Sequence, residues 1–420
     1  MSKWKEITIG DLGRVVTGNT PPKKNPDNYN GVYPFIKPTD MTIGLRHVEE
    51  WEENYSEKAY KKYKNSYIPP GSTGVVTIGT VGEKIFQSDR WCFTNQSVNV
   101  VIPNRSKYDP DFIYHLLKLN LPKVENANPG TASGRHHVSK SNFCAIKVKA
   151  PDLSSQKKIA SILSAYDDLI ENNLKRIKLL EEKAQLTYEE WFVRMKYPGH
   201  ENDSVDSETG LPRGWTKNKF STHFEIQNGY AFKSEDYRNN GIEILRTKDY
   251  SSTKWVNKND PIYIGETQAK SFRKYLTKPF DLMLIMVGAS IGNYGIVLPK
   301  DRGMLQNQNQ WAIRSKKENL VFYKLVMMER LIASLKSKKT GAARDFFRSS
   351  FLKEMNVIIP SESIIKRLNI ILEPSYNLIN TLFEENDSLI SIREILLPRL
   401  MSGMIDVNEI MYNYPKEILE

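Results

Sequence analysis

The chain has 420 residues, of which only two are cysteine, and carries 60 Lys and Arg against 49 Asp and Glu, a formal net charge of +11. That length predicts at least two separately cored domains, while Cys92 and Cys144 are too few for a disulfide framework or a Cys-type zinc site and point to a cytoplasmic protein. The opening "MSKWKEITIGDLG" has no apolar signal core and no stretch approaches about eighteen consecutive apolar residues, so secretion and membrane spanning are not expected, whereas the cation excess favours a polyanionic partner.

In chain order, the first segment reads as short strands and turns. "GVYPFIKPTDM" (31–41) is a strand-like run ending in polar residues, and "YIPPGSTGVVTIGTVGEKIF" (67–86) is two strands about glycine-rich turns. "DPDFIYHLLKL" (109–119) predicts a helix that starts at Asp109. Residues 154–192 contain neither Gly nor Pro, and Leu163, Tyr166, Ile170, Asn173, Ile177, Leu180, Ala184, Thr187 and Trp191 step by three and four, the spacing of a coiled-coil seam. A polar stretch with three Gly and two Pro (197–215) follows. Beyond it, "GIEILRTKDY" (241–250) reads as a strand and "NLVFYKLVMMERLIASLK" (319–336) as a helix from Asn319. A second long helix, from 361 to about 401, has its own ridge: Leu372, Ser375, Ile379, Leu382, Asn386, Leu389, Arg393, Leu396 and Leu400. Pro374 lies within it, and because it has no N–H to give and crowds the preceding turn, it predicts a kink or a restart there.

The chain repeats itself. Trp4 and Trp215 open two similar stretches, Gly18 and Gly229 keep the same offset, "VVTIGTVG" (75–82) answers "LIMVGASIG" (284–292), and "FTNQSVNVVIP" (93–103) answers "LQNQNQWAIRS" (305–315). Pro151 and Pro360 close the two β-rich segments, and Leu163 corresponds to Leu372 in the helices that follow. This is a tandem duplication of a globular module plus a long helix. The simplest partner for the first seam is the second, in antiparallel pairing. Residue numbers summing to 559 place Leu163 against Leu396, Ile170 against Leu389, Ile177 against Leu382, Leu180 against Ile379 and Trp191 against Leu368. Asn173 then falls opposite Asn386, where two amides can satisfy each other and fix register. The alternative leaves both amides facing solvent or a partner subunit, because the same register sets Tyr166 against Arg393.

Searches for catalytic motifs come back empty: there is no phosphate-cradling G-x-x-x-x-G-K-[ST], no H-E-x-x-H and no Cys/His spacing suited to zinc. "GASIG" (288–292) reads as a turn before it reads as a phosphate loop, and His136 with His137, adjacent in sequence, point apart on a strand. No catalytic residue, cofactor, metal or small-molecule substrate is expected.

"APDLSSQKKIASILSAYDDLIENNLKRIKLLEEKAQ" followed by "EEWF" resembles the central conserved region of the specificity subunits of type I restriction-modification systems, and "LLPRLMSGMIDV" (396–407) their C-terminal conserved region. "GNTPPKKNPDNYNGVYPFIKPTDM" and "NGYAFKSEDYRNNGIEILRTKDY" are similar to the openings of target-recognition domains in that family. Two departures stand out: Ser155 replaces the usual acidic residue before the Gln of the first helix, and "SESIIKRLNIIL" lacks that Gln. The resemblance implies an α+β fold: two similar mixed α/β target-recognition domains in tandem, each followed by a long helix, with the two helices pairing as an antiparallel coiled coil. The expected boundaries are 1–152 and 215–360 for the domains, 153–196 and 361–405 for the helices, 197–214 for a linker and 406–420 for a tail. It implies a non-catalytic subunit that reads a bipartite, asymmetric target in double-stranded DNA, one domain per half-site, with two methyltransferase subunits and motor-nuclease restriction subunits as partners. From residue chemistry, the candidate DNA contacts in the first module are Asn19, Thr20, Lys37, Asp40, Asn95, Gln96, Arg135, His136 and Lys140. Those in the second are Tyr230, Lys233, Arg246, Lys248, Asn307, Gln308, Gln310, Arg344 and Arg348. Arg, Asn and Gln suit base edges, and Lys suits phosphates. The competing reading of Asn95, Gln96, Asn307 and Gln308 is that residues shared by both copies hold the loop. The competing reading of the whole chain is a coiled-coil adaptor whose basic modules bind RNA or protein.

Overall fold

The computed structural model describes residues 4–127, 136–250, 253–258, 260–337 and 348–407. The chain forms two compact units: one comprises residues up to 173 together with those from 386 onward, the other residues 174–385. Each long helix is thus divided between the units.

In the first unit, the β-branched run of Val98–Pro103 is the second strand of a four-stranded antiparallel sheet whose order is Gly13–Thr17, Val98–Pro103, Thr73–Val76, Ile85–Gln87. A smaller sheet sets Tyr29–Ile36 between Glu53–Tyr55 and Phe93–Thr94, and Lys5–Thr8 pairs with Lys147–Ala150 to close the module. Helix Pro110–Leu119 starts where expected: Asp109 accepts hydrogen bonds from the amides of Asp111 and Phe112, both at 3.0 Å. Its apolar face, Phe112, Ile113, Leu116 and Leu117, joins Val75, Val101 and Leu163 in the core.

The second unit repeats this plan. Phe224–Asn228, Gln310–Ser315, Leu282–Ile285 and Tyr294–Ile296 form its four-stranded sheet in the corresponding order, and Thr216–Lys219 pairs with Asn356–Ile359. The repeated glycines have a steric reason. A Cβ on Gly18 would lie 2.1 Å from the Asn95 carbonyl oxygen, and one on Gly229 would lie 1.8 Å from that of Asn307, so both turns need the bare backbone. The repeated tryptophans also keep a common role. Trp215 stacks near Phe192 and Tyr197 just past the end of the first long helix, while Trp4 lies against Gly403, which caps the second at φ +74.

The first long helix, Leu153–Tyr188, continues into a π-helical turn, Glu189–Val193, which carries Trp191 and Phe192 inward. Asp152 caps it, accepting from the Ser155 amide and hydroxyl at 3.0 and 2.9 Å, and buried Gln156 ties the Asp109 amide to its carbonyl oxygen. The second helix, Glu362–Met401, is one element. The restart expected at Pro374 is absent, because Pro374 lies on the exposed face beside Ile370, whose carbonyl can be solvated where the missing N–H leaves it.

The seam follows the ridges. In the first unit Leu163, Ile170, Asn173 and Asn386 are buried and Leu389 and Leu396 half-buried; in the second Ile177, Ile379, Leu382 and Trp191 are buried and Leu180 half-buried. Asn173 Nδ2 donates to Asn386 Oδ1 at 3.0 Å, and Asn386 Nδ2 reaches the Ile170 carbonyl at 3.4 Å. Tyr166 is not the residue that meets Arg393. The guanidinium pairs with the carboxylate of buried Asp167, one position along, and also donates to the Gly44 carbonyl at 3.1 Å. Around this pair, both backbone amides of Arg46 and His47 donate to Glu171 of the helix, at 2.9 and 2.8 Å, while Arg46 bridges Asp111 and Asp168. Burial lowers the His115 pKa well below its usual range, helped by the neighbouring Arg46, Lys118 and Arg393, and burial raises that of Asp167. The module loop 44–47 and the helices of this unit are therefore joined by a buried ionic network as well as by apolar contact.

Candidate nucleic-acid interface

The turn after the first strand is built alike in both modules. The Asn19 amide donates to the Thr94 carbonyl at 2.9 Å, and the Tyr230 amide to that of Gln306 at 3.0 Å. Asn95 Oδ1 accepts from the Ser97 amide at 3.1 Å and Asn307 Oδ1 from the Gln308 amide at 2.8 Å. The shared asparagines thus brace their loops, leaving Gln96 and Gln308 exposed beside them, with Thr20 near the Gln96 amide at 3.5 Å.

A second repeated turn uses up one more candidate, Asp40. Asp40 accepts from the Lys37 amide at 2.7 Å and Asp249 from the Arg246 amide at 2.8 Å, so the aspartates hold the chain rather than face outward. Their neighbouring cations are already matched by acids. Lys37 Nζ lies 2.7 Å from Glu52 and 3.4 Å from Glu53; Arg246 meets Asp249 and Asp260, and Lys248 meets Asp260 at 3.0 Å. Lys233 is exposed and 3.3 Å from Glu235. Gln310 must be withdrawn as a DNA contact: fully buried, it donates to the Leu245 carbonyl at 2.6 Å and accepts from Tyr250. A side chain consumed by the core cannot read a base.

The remaining candidates lie at the surface. His136 is exposed, its carbonyl accepting from the Gly79 amide at 3.1 Å, and Lys140 is exposed at the start of Lys140–Ala145. Arg348 is exposed ahead of Ser349–Glu354, and Arg135 and Arg344 lie outside the described residues. Tyr230 sits at 38% exposure on an aromatic group, with ring centroids 4.7 Å from Phe272 and 5.2 Å from Tyr275.

In the first module, Asn19 and Lys140 come together in one cleft of about 560 Å³ with Arg14, Lys62, Tyr63 and Asn65. Arg14 and Lys62 were not among the candidates drawn from sequence. Arg14 is one residue of an alternating strand and Lys62 one of several lysines in a run, so only the fold singles them out. Among the described residues no cluster of three or more His, Cys, Asp and Glu could hold a metal, and no helix is long and apolar enough to cross a membrane.

The family model described as "Type I restriction modification DNA specificity domain" matches residues 1–182 and 212–389. Two archaeal proteins of Methanocaldococcus jannaschii, the type I restriction enzyme MjaIX and MjaVIII specificity subunits, are each 22% identical to this chain; both matches span 97% of this chain and 94% of the relative. The crystal structure of a type I restriction-modification S subunit from M. genitalium shares the fold, with a TM-score of 0.58 at 16% identity, covering 95% of this chain and 96% of the other.

Proposed function

We propose, from the premise that this chain belongs to the type I restriction modification DNA specificity family, that it is the non-catalytic DNA-reading subunit of a type I restriction-modification complex. Each module reads one half of a split, asymmetric duplex target, and the paired helices set the distance between the halves. Two methyltransferase subunits dock on the helices and modules, and restriction subunits join that core. The observation that carries this reading is the contrast between frame and surface. The same turns, glycines and asparagine braces recur in both modules, while positions between them differ: Asn19 answers Tyr230 and Lys140 answers Ser349. A shared frame with unlike outward side chains suits two unlike half-sites, which a homodimer reading a palindrome would not need.

The test is selection from a random duplex pool by the chain with its methyltransferase. The reading expects one bipartite motif with a constant gap and binding that weakens with salt. Binding without sequence preference, or a preference for RNA over duplex DNA, would favour the adaptor reading instead.

A further inference from the structure

The first module's cleft collects three cations from three separate elements: Arg14 from Gly13–Thr17, Lys62 from Glu57–Tyr63 and Lys140 from Lys140–Ala145. No acidic residue lines it, and among the described residues no carboxylate comes within 4.0 Å of any of the three. Other cations of this module are held by acids, Lys37 by Glu52, Lys58 by Asp27, Lys61 by Glu57 and Lys147 by Glu6; what marks these three is that they gather in one cleft without one. The floor is fixed. Asn19 Nδ2 donates to Ser66 Oγ at 2.9 Å, Ser66 Oγ donates to the Tyr63 carbonyl at 2.8 Å, and Thr17 donates to Asn99 at 2.7 Å. Arg14 gives one N–H to the Asn65 carbonyl at 3.3 Å and keeps its other donors for a ligand, and the Lys62 ammonium lies 5.3 Å from the Tyr63 ring centroid. Like charges gathered over a braced floor, with no acid to neutralise them, are arranged for an anion that supplies several oxygens.

We infer that this cleft binds a phosphodiester of the DNA backbone and that the second module does not repeat this three-cation grip at the corresponding positions. The inference rests on the DNA-reading function proposed above and adds a division of labour to it. With Gly18 answering Gly229, Arg14 answers exposed Glu225, Lys62 answers Ser271 and Ser349 stands where Lys140 would be, while the cations of the matching segment, Lys270, Arg273 and Lys274, occupy other positions of it. Beside that turn the second module carries the Tyr230, Phe272 and Tyr275 rings instead of Asn19 and its amide network. One half-site is held at this point by three cations converging from separate elements, the other by an aromatic group with the Lys274 ammonium 4.9 Å from the Tyr275 ring centroid.

The charge is tested by measuring duplex affinity of the full chain with its methyltransferase between about 50 and 200 mM salt. The triple variant Arg14→Ala/Lys62→Ala/Lys140→Ala should bind more weakly, with the slope of log K against log salt reduced by about 0.9, the share of one lost phosphate contact. The selected sequence should be unchanged. Tyr230→Ala should weaken binding without changing the slope. The three cations are exposed, so thermal unfolding should match the wild type. An unaltered slope in the triple variant would overturn the cleft assignment and leave the DNA-reading function standing; a changed half-site would make these residues base readers and overturn it too. Titration of inorganic phosphate or a nucleoside monophosphate into the chain separates the sources. Saturable binding of either that the triple variant loses, with an unaltered salt slope on DNA, would show a free-ligand site and contradict the backbone grip. A wild-type complex that binds no duplex at all would overturn both readings.

Discussion

Replacing Asn173 by leucine tests whether the amide pair fixes the helix register. Both side chains are almost fully buried, Asn173 at 5% exposure and Asn386 at 4%, and they share a 3.0 Å hydrogen bond. In Asn173→Leu the Asn386 carbonyl oxygen loses that donor and stays in an apolar layer, a cost of about 1 to 3 kcal/mol. For a unit of this size, at roughly 2 to 4 °C per kcal/mol, the melting temperature should drop by about 2 to 12 °C. In the double variant Asn173→Leu/Asn386→Leu no orphan amide remains, so stability should return to near the wild type or above it. What should be lost is discrimination between registers, since leucine tolerates a heptad slip that a lone amide does not. The assay is a double-mutant cycle by urea unfolding, joined to a disulfide-trapping comparison of registers. Additive single and double effects, with a coupling energy below about 0.3 kcal/mol, would refute the reasoning.

Three further outcomes follow from the same structure. Arg393→Leu strands the buried Asp167 carboxylate and should cost about 3 to 5 kcal/mol by urea unfolding, most of which Arg393→Leu/Asp167→Leu should recover. His115 is held neutral below its ordinary pKa near 6.5, so the unfolded chain takes up a proton that the folded chain refuses; stability should fall as pH drops from about 7 towards 5.5, by at most about 1.4 kcal/mol per pH unit. His115→Gln should flatten that dependence, and an identical slope in the variant would contradict it. Four residues inserted after Lys175, with a matching insertion in the second helix, should lengthen the target's gap by about two base pairs, because they add roughly 6 Å of helix. An active variant with an unchanged gap would remove the ruler from the account.

The duplication, the two long helices and the Asn173 pairing were legible because each depends on local spacing or on residues with few alternatives. Glycine recurs where a carbonyl crowds the turn, tryptophan where a helix end must be covered, and asparagine where a seam admits one polar layer. The misses share a different cause. Tyr166 gave way to Asp167 because a straight helix drifts from a strict seam, and that drift becomes visible only when Arg393 is in place. Pro374 does not break its helix because it faces outward, and facing is a tertiary fact. Gln310 looked like a reader because its chemistry suits DNA, but the Leu245 carbonyl and Tyr250, brought to it by the fold, already hold it, while Lys37 and Arg246 form ion pairs with Glu52 and Asp260 that no sequence spacing displays. Arg14 and Lys62 were overlooked for the converse reason: what distinguishes them is that the fold brings them into one cleft with Lys140, which no sequence pattern displays.

The most direct test of the central claim is to map methylated bases genome-wide in cells that carry the methyltransferase with this chain, without it, and with residues 1–150 exchanged for the corresponding module of a relative. One asymmetric, two-part motif with a constant gap is expected, lost without the chain and altered in one half only by the exchange. A palindromic motif, a motif that persists without the chain, or an exchange that changes both halves would contradict it.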